Sequence, residues 1–416
     1  MAFLQDIETY IRSGETSSRK LGLEIEHFIV DSNGDQIPFD EISPLIKDVA
    51  TGLQAKLHYI DGYPVGYYTG SYSVSLEPSC QFEISIDPYS DLSEIRHIYN
   101  EFYDLWEPIF TERGYKILTK GNLPKVELGV ITPDDIPLSP KKRYKYMNEH
   151  FETSGRYGKF MMRASASTQV SVDYASEEDL VRKLKIIKKI SPVLMIIMEN
   201  KTCSEATLAE HPDKKHLLRI QEWEDLDPSR TGFIKGSLDS GFGYKDIADT
   251  IYNTPLILWS ENGDTTHVGE RSAKDLVSSG VIADNDDLNA NRIKLIEHVI
   301  SMGFFHIRIK KYIEIRVADS VPINKALGYV ALLKGLLYSD AALTELEEVF
   351  SDVRSAQDVR DAIDAIERDG LEASIYGGRK VYELADTLIA IAGKNLELKD
   401  KEYLNNVRTA GDHFPG

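Results

Sequence analysis

The sequence predicts an α+β protein in which helices cover one face of a curved antiparallel sheet. Four segments alternate apolar and polar residues with a period of two, which is the pattern of a half-buried strand. Strand-like and helix-like segments follow one another without a regular βαβ alternation, and this favours antiparallel pairing. The chain contains neither the glycine-rich fingerprint of a dinucleotide-binding fold nor a P-loop signature, so neither of those nucleotide sites is supported.

The four predicted strands share a polar face rich in charged side chains, whereas an ordinary exposed strand face carries mostly neutral polar residues. Their apolar faces would pack against helices, and their polar faces would line one concavity if the strands join a single sheet. The strands are predicted over residues 21–29, 76–86, 162–173 and 307–317, and their polar faces carry Glu24, Glu26, Glu77, Glu83, Arg163, Gln169, Arg308, Lys310, Glu314 and Arg316.

Three segments in the first three quarters of the chain show helical periodicity. Asp91 followed by Glu94 is a capping-box pattern, and Ser176 precedes an acidic first turn suited to a helix N-terminus. Pro192 predicts a kink in the second helix. The helices are predicted over residues 91–114, 176–200 and 286–303.

The last quarter of the chain has a different character, because strand signals disappear after about residue 320. Leucines recur there at spacings of three and four, which indicates packed helices. We therefore expect a single catalytic domain over residues 1–416, with residues 320–416 forming a helical C-terminal segment packed on it.

Composition and charge restrict the possible partners. The formal net charge of -19 argues against nucleic acid or an anionic membrane, since both require a basic surface. The longest apolar run, residues 193–198, is far shorter than the ~18 residues of a membrane-spanning helix, and the first residues lack a signal-peptide pattern. Two cysteines, Cys80 and Cys203, are too few for a disulfide framework or a thiolate metal site. We expect a cytoplasmic protein, monomeric or homodimeric, with small-molecule substrates and no nucleic-acid or membrane partner.

The carboxylates on the polar faces suggest a metal site. Glu24 and Glu26 lie about 7 Å apart along one strand face, and Glu77 and Glu83 share another. Several carboxylates gather favourably in one cleft only when positive charge lies between them, and Mg²⁺ binds such oxygen ligands together with substrate phosphates. Arginines suit phosphate and carboxylate groups because the planar guanidinium binds them bidentately. A cleft with both features suits phosphoryl transfer from a nucleotide.

Six motifs, in order and with matching spacing over roughly residues 20–340, carry a family resemblance. The most specific are Leu-Glu-Pro-x-x-Gln-Phe-Glu at residues 76–83 and Tyr-Ile-Glu-Ile-Arg at residues 312–316. The others are Gly-Leu-Glu-Ile-Glu at 22–26, Arg-Tyr-x-x-Met at 143–147, the run over 161–173, and Ser-Arg-Thr-Gly at 229–232. Together they resemble glutamate–cysteine ligases of the plant and proteobacterial branch of the carboxylate–amine ligase superfamily.

The resemblance implies a glutamine-synthetase-like sheet curved into a funnel that holds the active site. It implies ATP- and Mg²⁺-dependent formation of the γ-glutamyl amide of L-glutamate and L-cysteine through a γ-glutamyl phosphate, the first step toward glutathione or a related thiol. Arg316 would stabilise the transferring phosphoryl group, and Arg308 and Lys310 are expected to serve the nucleotide phosphates. The implied metal ligands are Glu24, Glu26, Glu77, Glu83 and the catalytic Glu314, and the implied substrate-binding residues are Arg163, Gln169, Arg219 and Arg230.

Three other functions remain open at the level of sequence. They are a γ-glutamyl ligase for a different amine, a guanidino-kinase-type phosphotransferase, and a binding protein that retains the cleft without catalysis. This chain has Ser79 and Cys80 where plant members have glycines, and the loop at residues 121–140 diverges. The resemblance therefore constrains the ligase chemistry more tightly than the identity of the amine.

Overall fold

One antiparallel sheet of nine strands organises the described part of the chain. The structure is a computed structural model that describes residues 2–202, 214–261, 264–285 and 288–407. Cys203 and Asp286, the first residue of the third predicted helix, lie outside the described residues.

Thirteen strands and sixteen α-helices occur within the described residues. The strands are β1 (Leu21–Val30), β2 (Lys56–Ile60), β3 (Tyr63–Tyr68), β4 (Tyr72–Leu76), β5 (Phe82–Tyr89), β6 (Lys116–Leu118), β7 (Ser167–Val172), β8 (Leu258–Glu261), β9 (Asp264–His267), β10 (Ile307–Ile309), β11 (Ile313–Asp319), β12 (Ser374–Ile375) and β13 (Arg379–Lys380). The helices are α1 (Ala2–Arg12), α2 (Phe39–Gly52), α3 (Leu92–Thr111), α4 (Pro124–Glu127), α5 (Lys142–Ser154), α6 (Gly158–Ala164), α7 (Glu177–Ile197), α8 (Leu218–Glu224), α9 (Tyr244–Asn253), α10 (Ala273–Ser278), α11 (Ala290–Ser301), α12 (Ile323–Leu337), α13 (Asp340–Val349), α14 (Ala356–Asp369), α15 (Val381–Asn395) and α16 (Leu398–Lys401).

The main sheet runs in the order β10-β11-β7-β1-β5-β4-β3-β2, with β6 paired to the end of β1. The pairings within it are antiparallel. Strands distant in sequence, such as β1, β7 and β11, therefore lie side by side, and this brings their polar faces together. The predicted α+β class with an antiparallel sheet is confirmed.

The segment predicted as one strand over residues 307–317 is a hairpin. Strands β10 and β11 pair Ile309 with Ile313 and Arg308 with Glu314. Because this register matches even-numbered residues with even-numbered residues, the charged side chains stay on one face, as the alternation predicts. Lys311, which interrupts the alternation, lies in the turn between the two strands.

The segment predicted as one strand over residues 76–86 is also interrupted. Strand β4 ends before Glu77, and a turn over residues 77–81 leads into β5, which carries Glu83. Cys80 in this turn has a φ of 65°, in the left-handed region that favours glycine. The turn thus keeps the backbone conformation that a glycine would adopt, and Cys80 is buried.

The segment predicted as a strand over residues 162–173 begins as a helix. Residues 158–164 form α6, and β7 starts only at Ser167. Met161 and Met162 are both buried, and two adjacent buried side chains suit a helix in contact with two neighbours better than a half-buried strand. Arg163 therefore lies on α6 and not on the sheet.

Long helices contact the main sheet, as predicted. Helix α3 packs against β5, α7 against β11, and α12 against β1. The side chain of Asp91 caps α3 and that of Ser176 caps α7, each by accepting a backbone N–H of the first turn. These helices fix the strands that carry the polar face.

The C-terminal segment is helical, as predicted, from α12 through α16. Its two-residue strands β12 and β13 form a small hairpin that the sequence did not indicate. Helix α12 is almost wholly buried and contacts α3, α13 and α15. Within the described residues, no single helix has the length and apolar composition to cross a membrane; α12 and α13 pass that test only jointly, and they are bent by 89°.

Candidate active site

A cavity of about 1430 Å³ lies over the polar face of the main sheet. Strands β1, β5 and β10, together with α5, α8 and α11, contribute to its lining. Ligand pockets typically measure ~300–1,000 Å³, so this cavity has room for a nucleotide and a second small molecule. The predicted site residues that line it are Glu24, Glu26, Glu77, Glu83, Gln169, Arg308, Lys310 and Arg316.

Four glutamates, Glu24, Glu26, Glu77 and Glu83, form what we call the glutamate cluster. Glu26 and Glu83 lie directly opposite each other on β1 and β5, where like charges destabilise a sheet. The Ser75 hydroxyl lies 3.4 Å from Glu77 Oε1 and 3.1 Å from Glu83 Oε1, so it bridges two of these carboxylates. The fold therefore concentrates negative charge where a bound cation would relieve it.

The pKa values of three members of the cluster reflect burial and mutual repulsion. Burial, followed by the charge of Glu77, raises the pKa of Glu26 to about 7. Burial together with Glu77 and Glu24 raises the pKa of Glu83 well above its ordinary value. Burial and the nearby Glu314 raise the pKa of Glu24 as well. Ionising the whole cluster is thus unfavourable unless positive charge enters the cavity.

The chemistry of the glutamate cluster fits a hard divalent cation, because every donor is a carboxylate oxygen. Among the described residues, no group of three or more His, Cys, Asp or Glu side chains is already arranged to hold a metal ion. The cluster supplies carboxylate oxygens that can bind a metal ion, but these oxygens do not surround a single point. Such an open arrangement suits Mg²⁺, which usually keeps positions for waters and substrate phosphates.

Glu314 lies beneath three cations and does not line the cavity. It is completely buried, and its carboxylate accepts hydrogen bonds from Arg308 Nε at 2.5 Å and Lys310 Nζ at 2.8 Å, with Arg316 Nη1 at 3.4 Å. Burial opposes ionisation, but Arg308, Lys310 and Arg316 hold the pKa of Glu314 well below its ordinary range. In this structure, Glu314 is the counter-ion of three cations, and its implied role as a metal ligand stays a prediction.

Arg316 connects this cationic group to the glutamate cluster. Its Nη1 donates to Gln169 Oε1, and the Gln169 amide donates to Glu26 Oε1 at 3.1 Å. Its guanidinium lies 5.7 Å from the centre of the Trp223 ring. The Arg316 side chain is 13% exposed, so a substrate can reach a cation whose position is fixed by its neighbours.

Arg219 braces the strand that carries Arg316. The β11–β7 register shifts between Ile315 and Ala318, and Arg219 Nη2 donates to the carbonyl oxygens of Arg316 at 3.0 Å and Ala318 at 2.9 Å. Its Nε donates to Asp319 Oδ1 at 3.1 Å. Arg219 therefore fixes the backbone of Arg316 in this structure, and its predicted substrate contact stays a prediction.

Two other arginines predicted to bind substrate also lie away from the cavity lining. Arg163 Nη1 donates to the carbonyl oxygens of Pro133 and Ile136 at 3.3 and 3.0 Å. Arg230 is completely buried, and its Nε donates to Asp227 Oδ2 at 2.6 Å. Both guanidinium groups donate to the protein itself, although Arg163 Nε and Arg230 Nη2 have no hydrogen-bond partner among the described residues; their substrate-binding roles stay predictions.

Lys141, Arg143 and Tyr144 line the cavity, although the sequence pattern did not indicate a role for them. The Tyr144 hydroxyl donates to Glu77 Oε2 at 3.2 Å. Arg143 makes only long contacts, of 3.4 Å, with Ser301, and among the described residues neither Lys141 nor Arg143 forms an ion pair. The sequence did contain a signal for a binding role. Basic residues at the start of a helix interact unfavourably with the helix dipole, so their presence there indicates a function other than stabilising the helix.

Glu222, on α8 beside Trp223, is a buried carboxyl outside the cavity lining. Its Oε1 accepts from Asn122 Nδ2 at 2.5 Å, and its Oε2 has no hydrogen-bond partner among the described residues. Burial raises the pKa of Glu222 to about 8, so the folded state keeps its proton at neutral pH. A raised carboxyl pKa makes unfolding easier as pH rises between the unfolded and folded values.

We expect wild type to lose unfolding free energy relative to Glu222→Gln as pH rises from about 5 to about 8, by on the order of 4 kcal/mol. Urea denaturation of both proteins at several pH values measures this difference. If the unfolding free energies of the two proteins changed with pH in parallel, the raised pKa of Glu222 would be contradicted.

Comparisons with known proteins identify the family of this chain. The model of glutamate-cysteine ligase family 2 (GCS2) matches residues 20–402. The chain belongs to this family. Among its relatives, the chloroplastic glutamate–cysteine ligase of Nicotiana tabacum is 25% identical over 412 residues, covering 97% of this chain and 76% of that protein. The Arabidopsis thaliana chloroplastic enzyme is 26% identical over 416 residues, covering 97% and 76%.

The fold agrees with a solved member of the glutamate–cysteine ligases. The crystal structure of the Francisella tularensis glutamate–cysteine ligase, in complex with AMP, has a TM-score of 0.50 and 14% sequence identity, and the match covers 94% of this chain and 81% of that one. Membership in glutamate-cysteine ligase family 2 confirms the resemblance to glutamate–cysteine ligases that the sequence motifs indicate. It also confirms the predicted enzyme class, a glutamate–cysteine ligase.

Proposed function

We propose that this chain joins L-glutamate to L-cysteine in an ATP- and Mg²⁺-dependent reaction that passes through γ-glutamyl phosphate. The observation that carries the proposal is that the glutamate cluster and the reachable Arg316 share one cavity. The related plant proteins are named glutamate–cysteine ligases, and the Francisella enzyme was solved with AMP. These relatives support the same substrates here.

The glutamate cluster would hold the Mg²⁺. The bound ion would supply the positive charge that offsets these carboxylates and the phosphates of ATP. Without such charge, Glu26 and Glu83, opposite each other on neighbouring strands, would repel an incoming nucleotide. The raised pKa of Glu83 supports a cation as the natural occupant of this part of the cavity.

Arg316 would stabilise the phosphoryl group during its transfer to the glutamate side chain. Gln169 and Glu314 hold its guanidinium in place before substrate arrives, so little reorganisation is needed when negative charge develops in the transition state. Arg308 and Lys310, with side chains 12% and 23% exposed, lie on the same face and would contact the remaining phosphates.

Arg143 and Lys141 would bind substrate carboxylates in the same cavity. Both are cationic side chains that form no ion pair among the described residues, and burial lowers the pKa of each. A buried cation without a counter-ion is costly, and an amino-acid carboxylate would provide one. Arg143 is the better suited of the two because its guanidinium can bind a carboxylate bidentately.

An amine panel tests the proposal. The purified protein is incubated with ATP, Mg²⁺ and glutamate, alone and with cysteine or other amines, and ADP release and product mass are followed. We expect ADP release that requires glutamate and cysteine together, yields γ-glutamylcysteine, and stops when a chelator removes Mg²⁺.

Other outcomes assign the protein differently. Turnover with another amine would replace cysteine as the substrate while retaining the ligase reaction. Phosphorylation of a guanidine without amide formation would indicate the phosphotransferase. Folded protein without turnover under any of these conditions would contradict every enzymatic assignment.

A further inference from the structure

His298, on α11, lines the cavity close to Arg143 and is not accounted for by the binding of metal, nucleotide or carboxylate. Its Nε2 lies 3.1 Å from the carbonyl oxygen of Leu258. A carbonyl oxygen can only accept, so Nε2 carries the hydrogen. The Trp259 ring packs edge-on against the imidazole with centroids 5.5 Å apart. The ring is therefore held in one tautomer and one orientation.

The second ring nitrogen of His298, Nδ1, has no hydrogen-bond partner among the described residues. With Nε2–H directed at Leu258, Nδ1 presents a lone pair. Burial and the charge of Arg143 lower the pKa of His298 to about 4, so the ring is neutral at physiological pH. The charge of Arg143, from α5, acts on the ring directly, and Lys294 lies one turn earlier on α11. On β8, Leu258 and Trp259 are uncharged, and the carboxylate of Glu261 lies 3.4 Å from Trp259 Nε1.

Amide formation needs a proton acceptor at the amine. An amino acid enters as an ammonium ion, whose nitrogen has no lone pair and cannot attack an acyl phosphate. Within the cavity, the carboxylates of the glutamate cluster would be engaged by a cation under the proposed function, and the lysine and arginine side chains carry protons already. His58, Asp61 and Glu261 also line the cavity, but His298 lies beside Arg143, the proposed carboxylate-binding residue, and offers a neutral imidazole with a free lone pair.

We propose that Nδ1 of His298 is the general base that deprotonates the ammonium group of the amine substrate. The inference rests on the proposed ligase function. One proton moves from the ammonium to Nδ1, and the nitrogen lone pair then forms the C–N bond with the acyl carbon. The bond from that carbon to the phosphate oxygen breaks, and the second proton leaves with the phosphate. The imidazolium returns its proton to solvent.

The neighbouring Arg143 makes the basicity of His298 depend on whether substrate is bound. Its positive charge disfavours the imidazolium in the free protein. A substrate carboxylate bound to Arg143 would neutralise that charge and make His298 a stronger base when the amine is present. The same contact would place the α-amino group of an amino acid, which is two bonds from its carboxylate carbon, near the imidazole.

The test separates phosphoryl transfer from amide formation in His298→Gln. The glutamine amide can still donate to the Leu258 carbonyl, so the fold around the site is kept, but it cannot take up a proton. Three rates are measured: cysteine-dependent amide formation, glutamate-dependent exchange of the β,γ-bridging oxygen of ATP, and formation of the γ-glutamyl hydroxamate. Hydroxylamine is largely unprotonated at neutral pH and needs no base. His267→Gln is the matched control, since His267 is exposed and absent from the cavity lining.

We expect His298→Gln to lower the kcat of amide formation by about 10²-fold or more, with oxygen exchange and hydroxamate formation within roughly threefold of wild type. His267→Gln should match wild type in all three. Equal losses in all three rates, or normal amide formation, would overturn the role of His298. Wild-type protein that shows neither exchange nor amide formation would overturn the proposed function itself, and the inference with it.

Discussion

Replacing Arg316 with methionine is expected to lower kcat by about 10³-fold, because it removes the cation that faces the transferring phosphoryl group. Arg316→Lys should recover only part of this loss, since an ammonium keeps the charge but not the planar, bidentate geometry. Initial rates of ADP release at saturating glutamate and cysteine measure the effect.

The matched control for Arg316 is Arg271→Met. Arg271 is exposed and lies outside the cavity lining, so its loss should leave kcat unchanged. Because Arg316 also holds Gln169 and contacts Glu314, thermal unfolding of each variant must accompany the rates. A folded Arg316→Met protein with kcat within roughly threefold of wild type would contradict the assignment.

Replacing Glu314 with glutamine is expected to lower the free energy of unfolding by about 3–5 kcal/mol, because it leaves buried cations without their counter-ion. If Glu314 acted as a metal ligand alone, the expectation would be that Glu314→Ala lowers turnover by ~10³-fold or more while leaving folding largely intact. The contacts of Glu314 with Arg308, Lys310 and Arg316 revise the second part of that expectation. Urea denaturation at neutral pH measures the change.

Glu83→Gln provides a control of opposite sign in the same cavity. Glu83 is surrounded by other carboxylates that raise its pKa, so removing its charge should leave stability unchanged or increase it. The depressed pKa of Glu314 gives stability that is present above the ordinary glutamate value and is lost as pH falls through the folded value. The deficit of Glu314→Gln should therefore shrink in acid. Equal stability of both variants and wild type would contradict the counter-ion role.

The alternation of polar and apolar residues predicted which side chains share the cavity, but not how the chain turns between them. Arg308 and Glu314 stayed on one face because the β10–β11 register pairs even-numbered residues, so one strand and one hairpin give the same pattern. Glu77 reached the cluster through a turn and not along a strand. The period-two pattern determines which face of the sheet a side chain occupies, whereas the positions of the turns depend on tertiary contacts.

The roles of individual arginines were harder to predict than their presence. The motifs contain Arg163, Arg230 and Arg316 alike, and the sequence does not reveal which guanidinium groups the protein itself will engage. The prediction that Arg163 lies on a strand was wrong, because a short run of small and apolar residues is compatible with both a strand and a helix. The alternation of polar and apolar residues identifies cavity residues only on strands, and it therefore does not indicate Arg143 and Lys141, which come from the start of α5.

The cavity combines two electrostatic environments that favour the proposed substrates. Burial and mutual repulsion destabilise the ionised glutamate cluster, and next to it Arg308, Lys310 and Arg316 share one carboxylate, that of Glu314. A metal–nucleotide complex matches both, since its cation suits the cluster and its phosphates suit the arginines. The resulting claim is that the cavity transfers phosphate to the glutamate side chain before the amide forms.

The fate of the glutamate oxygen tests this claim most directly. Glutamate labelled with ¹⁸O in its γ-carboxylate is turned over with ATP, Mg²⁺ and cysteine, and the released phosphate is analysed by mass spectrometry. If γ-glutamyl phosphate forms, the bridging oxygen stays with phosphorus when the amine displaces it, and each phosphate carries one ¹⁸O. Amide product accompanied by unlabelled phosphate would show that the carboxylate is not phosphorylated and would contradict the account.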